Sequence, residues 1–181
     1  MKPVAPIIIT GFMGCGKTET ARALANRRGL ALTDLDRAIF NQTGRTAAQL
    51  ITQEGEQAFR AIETKMLREL LLNRGTGVIA LGGGAWITDE NRELISEHNG
   101  LSVWLDVPFE LCWQRIATSA EVRPLGRTRE DAEKLYLLRR PIYQLATIHL
   151  PVRADEPLEN IVARLEAALA SYHRDRNERS D

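Results

Sequence analysis

Residues 11–18 read Gly-Phe-Met-Gly-Cys-Gly-Lys-Thr, which fills every fixed position of G-x-x-x-x-G-K-[ST] between an apolar run and a helical pattern. Glycines at 11, 14 and 16 let backbone N–H groups turn toward an anion, and a helix opening at Lys17 adds its positive end. Lys17 can reach the β- and γ-phosphates of a nucleoside triphosphate, and the Thr18 hydroxyl can ligate Mg²⁺. A glycine turn that merely joins strand to helix does not need all of these residues at once. Asp34 and Asp36, at i and i+2, can point into one cleft with different partners. Clustered carboxylates need a cation or a substrate to compensate them. Asp36 also stands where it could cap a helix beginning near Arg37, and capping does not stop it accepting a proton.

Further along, Arg60 and Glu63 lie three apart on a helical pattern and share a face. Alone they read as an ordinary surface ion pair, worth little. Gly82-Gly83-Gly84 reads as a turn that also permits close backbone approach to a ligand. Arg123-Pro124-Leu125 sits between Thr118-Ser119-Ala120 and Gly126-Arg127-Thr128, the composition of a mobile loop over about 118–128. Arg139, in a helix expected to end before Pro141, could simply be solvated.

These residues need a scaffold that gathers them. Short apolar, β-branched runs at 7–10, 30–33, 78–81, 101–105 and 147–150 read as strands buried on both faces. Helical stripes separate them: Phe59, Ile62, Met66 and Leu70 within 55–73, and Ile161, Val162, Leu165, Ala168 and Leu169 within 158–172. The alternation predicts an α/β fold of three layers, αβα, with a five-stranded parallel sheet and helices on both faces. Ligands of such sheets bind beyond the carboxyl ends of the strands. The phosphate loop, Asp34 and Asp36, Gly82-Gly83-Gly84 and Asp106 all follow strands, so glycines and carboxylates gather on that edge. One domain over 1–172 is expected, with 173–181 a charged tail that has nothing to bury and frays.

Composition narrows the classes. Lys+Arg and Asp+Glu both number 24, so no net field draws the molecule to nucleic acid or to an acidic membrane. Cys15 and Cys112 are too few for a disulfide framework, which fits a reducing, cytoplasmic setting. The N-terminal apolar stretch is too short for a secretory signal, and no run approaches the roughly 18 residues of a membrane span. His98, His149 and His173 lack metal-ligand spacing, and His149, in an apolar strand, reads as a core histidine. Cys15 reads as a small filler in the phosphate loop, and Trp86, Trp104 and Trp113 as core or pocket wall.

The order of the motifs is more specific than any one of them. The phosphate loop and D-x-D are followed by Glu54-Gly55-Glu56-Gln57-Ala58-Phe59-Arg60-Ala61-Ile62-Glu63. Then come Leu81-Gly82-Gly83-Gly84-Ala85, Arg123-Pro124-Leu125 and Arg139-Arg140-Pro141-Ile142-Tyr143. Over residues 6–170 the series closely resembles the shikimate kinases. That resemblance implies ATP held by Gly11, Gly14, Cys15, Gly16, Lys17, Thr18 and Glu19, with Mg²⁺ organised by Thr18 and Asp34. Asp36 resembles the aspartate that meets the acceptor hydroxyls and takes the proton. Arg60, Arg139 and the Gly83 backbone resemble the holders of the shikimate carboxylate. Glu63 resembles the residue that orients Arg60, with Gly82 and Gly84 supporting the turn. Arg123 resembles the lid arginine over the phosphates, and Arg115 the one packing near adenine. Lys17, Asp36 and Arg123 would then be the catalytic set, in a monomer whose ligands are ATP and shikimate.

Two departures stand out: Gly126 follows Leu125 where the family has a second leucine, and 151–157 replaces its adenine-side V-D-T-like sequence. Competing classes fit less well. Another small-molecule kinase, for gluconate or a nucleoside monophosphate, would not call for the pair Arg60 and Arg139 together with Asp36. A nucleotide switch needs D-x-x-G after the strand, but Asp106-Val107-Pro108-Phe109 stands there. A degenerate binding module would not keep every reactive position filled.

Overall fold

The structure, a computed structural model, describes residues 5–73, 77–119, 126 and 128–178. Five strands, β1 (Ile7–Thr10), β2 (Leu32–Asp34), β3 (Val78–Ala80), β4 (Leu101–Asp106) and β5 (Ile148–Pro151), form one parallel sheet in the order β2-β3-β1-β4-β5. Successive side chains of β1 face opposite sides of the sheet, yet Ile7, Ile8 and Ile9 are all buried, so both faces are covered. The covering helices are α1 (Lys17–Arg28), α2 (Leu35–Thr43), α3 (Ala47–Glu54), α4 (Glu56–Leu72), α5 (Asp89–Glu97), α6 (Phe109–Thr118), α7 (Arg129–Tyr143) and α8 (Leu158–Glu178). Helices α1 and α8 pack together, while α4 packs with α2, α3 and α5. A 3-10 turn, Ala85–Ile87, follows the glycine triplet. No helix of the described residues is long and apolar enough to cross a membrane.

The αβα architecture is the expected one, but four local readings change. The strands are not all buried on both faces, because β2 and β5 are the edges of the sheet. In β5 burial therefore alternates, Ile148 and Leu150 in, His149 and Pro151 out. His149 is not a core histidine: it is exposed, stacks on Trp104 with 4.3 Å between centroids, and contacts Asp106 Oδ2 through Nε2 at 2.8 Å. Helix α8 does not stop at Tyr172 but runs to Glu178, since charged residues with fair helix propensity extend a helix without burying anything. Helix α7 passes through Pro141 and ends at Tyr143. The proline withholds an N–H from the carbonyl of Leu137, an exposed residue whose oxygen water can satisfy. That continuation places Arg139 and Tyr143 one turn apart on the same face.

Candidate active site

The turn from β1 into α1 is built around positive φ angles. Gly14 has φ 76°, and a Cβ there would lie 2.6 Å from the carbonyl oxygen of Cys112, so no other residue fits. Gly16 is the N-cap of α1 and has no side chain to close the helix end, leaving the first-turn N–H groups to an outside acceptor. Lys17 Nζ donates to the carbonyls of Gly11 (3.1 Å) and Phe12 (3.0 Å), so the ammonium lies across the mouth of its own loop rather than in open solvent. From α6, Arg115 Nη1 donates to the Gly14 carbonyl at 3.1 Å, which puts this arginine directly on the phosphate loop. Cys15 is buried beneath it. Burial pushes its thiol up, so it is a filler and not a nucleophile.

Beyond β2 the two aspartates divide their work. Asp34, not Asp36, is the N-cap of α2: its backbone is still extended and its Oδ1 accepts from the Arg37 N–H at 3.1 Å. Its other oxygen accepts from the Thr18 hydroxyl at 2.6 Å. Asp36, two residues on, lies in the first turn of α2 and faces the cavity. Thr18 and Asp34 offer a hydroxyl and a carboxylate, and no group of three or more His, Cys, Asp or Glu surrounds them among the described residues. That donor set fits Mg²⁺, which keeps several waters and takes its remaining oxygens from nucleotide phosphates.

Further charges of the site lie on α4 and α7. Arg60 Nη1 donates to Glu63 Oε2 at 2.7 Å, and Nη2 to Glu56 Oε1 at 3.0 Å. Glu63 is only 1% exposed, so this is no surface pair, and its Oε1 is buried without a hydrogen-bond partner. Burial lifts its carboxyl to about 7; Arg60 pulls it down, Asp36 pushes it back up, and Arg139 pulls it down. A Cβ on Gly82 would lie 2.7 Å from Asp36 Oδ1 and 3.0 Å from Glu63 Oε1, so both carboxylates crowd onto that glycine. Arg139 is 6% exposed rather than solvated. Its Nη1 donates to the Gly83 carbonyl at 3.2 Å, and it makes no ion pair with any described residue. A guanidinium buried without a direct ion-pair partner among the described residues is costly until a counter-charge reaches it.

One cavity of about 1300 Å³ joins these parts. It extends from Val152, Glu156, Leu158 and Ile161 beside the β5 edge, past the phosphate loop, to Asp34 and Asp36 at the β2 edge. Its lining includes Gly14, Cys15, Gly16, Lys17, Thr18, Glu19, Arg115, Arg60, Glu63, Gly82, Gly83, Gly84 and Arg139. Arg123 lies outside the described residues. The sequence reading missed the wall formed by Phe40, Ala47, Ala48, Ile51 and Phe59, whose apolar residues carry no chemical signature. It also missed Glu56, although the i, i+4 spacing to Arg60 was there to be read. Asp106 does not join the cavity; it is engaged by Arg140 (3.1 Å) and His149.

The cavity pairs an anion-binding loop at a helix N-terminus with an acidic cluster and a buried cation that has no ion pair among the described residues. That combination suits transfer of a phosphoryl group to an acceptor that is itself an anion. Comparison with known proteins agrees. The sequence model of the family described as shikimate kinase matches residues 13–170. The chain is 35% identical over 168 residues to the shikimate kinase of Ruegeria pomeroyi, covering 91% of this chain and 85% of that one. It is 39% identical over 146 residues to that of Streptococcus gordonii, covering 79% and 87%. Among solved structures, the Acinetobacter baumannii shikimate kinase in complex with shikimate superposes with a TM-score of 0.84 at 30% identity, over 93% and 94% of the two chains. A gluconokinase from Sinorhizobium meliloti shares the fold, with a TM-score of 0.70 at 19% identity and full coverage of both chains.

Proposed function

The chain belongs to the shikimate kinase family, and from that premise we propose that it transfers the γ-phosphoryl group of ATP to the 3-hydroxyl of shikimate, giving shikimate 3-phosphate and ADP. The observation that carries the reading is Arg139, a buried cation without an ion pair among the described residues, in the same cavity as a complete phosphate loop. An acceptor carboxylate supplies the missing charge, and the planar fork of a guanidinium can grip it through two bonds. Arg60 offers a second guanidinium, held at the cavity wall by Glu63 and Glu56. The Acinetobacter relative, solved with shikimate, supports this choice of acceptor.

Phosphoryl transfer asks the protein mainly for alignment and for positive charge on the migrating group. In this reading the phosphate loop and the first turn of α1 hold the ATP phosphates. Lys17 exchanges its two carbonyl partners for phosphate oxygens, and Arg115 is close enough to the loop to follow. Thr18 and Asp34 would hold Mg²⁺, which neutralises charge on the phosphates when bound. Asp36 orients the attacking hydroxyl and accepts its proton. Arg123 would complete the charge from the lid segment. The apolar wall of α2, α3 and Phe59 keeps water from competing as acceptor. ADP release measured over shikimate, quinate, gluconate and nucleoside monophosphates tests the reading; turnover preferring any of the others would overturn it.

A further inference from the structure

Gly82, Gly83 and Gly84 have no side chains with which to fix their turn, so their carbonyls must do it. The Gly82 carbonyl accepts from the Ala85 N–H at 3.2 Å and that of Gly84 from the Ile87 N–H at 3.0 Å. The Gly83 carbonyl is held from another element altogether, by the Tyr143 hydroxyl and by Arg139 Nη1, both from α7. Tyr143 is 1% exposed, and its ring stacks near Trp104 with 6.2 Å between centroids. Burial holds its phenol far above the usual tyrosine range, so the hydroxyl remains a donor wherever the protein is folded.

A carbonyl oxygen has two lone pairs, and here both are used by one face of α7. Without the tyrosine, this partly buried oxygen would have Arg139 as its only donor from α7, competing with a ligand for the same guanidinium. We propose that Tyr143 is a positioning residue for the acceptor site: its hydroxyl satisfies and fixes the Gly83 carbonyl, leaving the Arg139 guanidinium to grip the acceptor's carboxylate. The proposal rests on the acceptor reading above and goes beyond it, because Tyr143 lies behind the cavity lining rather than in it.

Tyr143→Phe keeps the ring and its stacking while deleting only the hydroxyl. A partly buried hydrogen bond left half-made should raise the KM for shikimate about 5- to 100-fold, with kcat and the KM for ATP within about threefold of the parent. The discriminating measurement repeats the comparison with shikimate whose carboxylate has been reduced to a primary alcohol. If the tyrosine acts through Arg139, the gap between parent and variant should shrink to about twofold or less on that acceptor, because the group it serves is gone. An equal loss on both acceptors, no loss on shikimate, or a variant that fails to fold would make the hydroxyl merely structural and overturn the proposal. A parent protein that does not phosphorylate shikimate fails earlier and differently, since it removes the acceptor reading itself.

Discussion

The guanidinium of Arg60 occupies the space a side chain at Gly84 would need: its Cζ lies 2.6 Å from where a Cβ would stand. The α4 arginine and the glycine turn after β3 are thus fitted to each other. Gly84→Ala should push Arg60 off its present line, away from the bonds to Glu63 and Glu56. Because small displacements of a substrate-positioning group are costly, kcat/KM for shikimate should fall by about 10²-fold with the KM for ATP little changed. Steady-state kinetics with each substrate varied in turn checks this. Equal losses for both substrates would mean the turn serves the whole fold.

Lys17→Ala removes the ammonium that bridges the Gly11 and Phe12 carbonyls. Phosphoryl transfer should fall by about 10²-fold or more, since one preorganised charge at the migrating group is commonly worth that much. The two lost bonds are at a partly open loop, so the melting temperature should shift by no more than about 4 °C, near 1 kcal/mol for a chain of this size. A variant with near-parental turnover would remove Lys17 from the mechanism.

Arg139→Met tests the role of this buried cation. A thioether of similar length fills the site without a buried charge, so the free protein should be at least as stable as the parent. Shikimate binding, in contrast, should weaken by about 2 to 5 kcal/mol, the usual loss on truncating one partner of a buried charge pair. Melting curves and binding titrations of the same preparation read both effects. A destabilised variant that still binds shikimate would reverse the assignment.

Arg139 also shows where the sequence was legible and where it was not. The phosphate loop is a local pattern, complete within eight residues, and its structure follows from them. The central strands are likewise explicit, since the continuous β-branched run Ile7, Ile8 and Ile9 is what a strand covered on both faces requires. Arg139 looked solvated because Pro141 appeared to end its helix; only tertiary packing shows α7 continuing past it. The cap of α2 fell on Asp34 because α2 begins at Leu35, two residues before Arg37, within the uncertainty of any boundary. Tyr143 and Gly83 are 60 residues apart, and no spacing rule joins them.

Glu63 gives a pH dependence with a definite sign. Its carboxyl is raised from 4.5 to about 7, so between those values the folded state holds a proton that the unfolded state has lost. Stability from this group therefore declines as pH rises through that window. Among the described residues, the charged groups that act on it most are Arg60, Asp36 and Arg139. A carboxylate arriving at the two arginines adds negative charge nearby and lifts Glu63 further, so binding takes up a proton near neutrality. Shikimate affinity should then weaken as pH climbs through about 7, and Glu63→Gln should flatten the profile. Calorimetry at neutral pH in two buffers of different ionisation enthalpy measures the proton uptake directly. No uptake by the parent would refute the linkage.

Asp36→Asn separates orientation from proton transfer, and the structure makes the substitution cleaner than the sequence did. Were Asp36 the cap of α2, any loss could be blamed on the helix; the cap is Asp34, which accepts the Arg37 N–H. Asparagine keeps the shape beside Gly82 and can still accept a hydrogen bond, but it cannot take a proton at neutral pH. Losing a general base typically costs 10²- to about 10⁴-fold in turnover. The loss should lie toward the lower end, because a loose phosphoryl-transfer transition state demands little of the base until late. Removing the Asp36 charge also relieves its push on the buried Glu63 carboxyl, so the melting curve must be read beside the rate. Asp34→Asn is the informative partner: it should keep the cap, because Asn caps about as well as Asp, while raising the Mg²⁺ concentration that turnover requires. Turnover of Asp36→Asn at saturating ATP and shikimate, read beside its melting curve, decides the matter. A rate within about threefold of the parent, far short of a lost general base, would leave Asp36 a spectator and move the search for the proton acceptor elsewhere in the cavity.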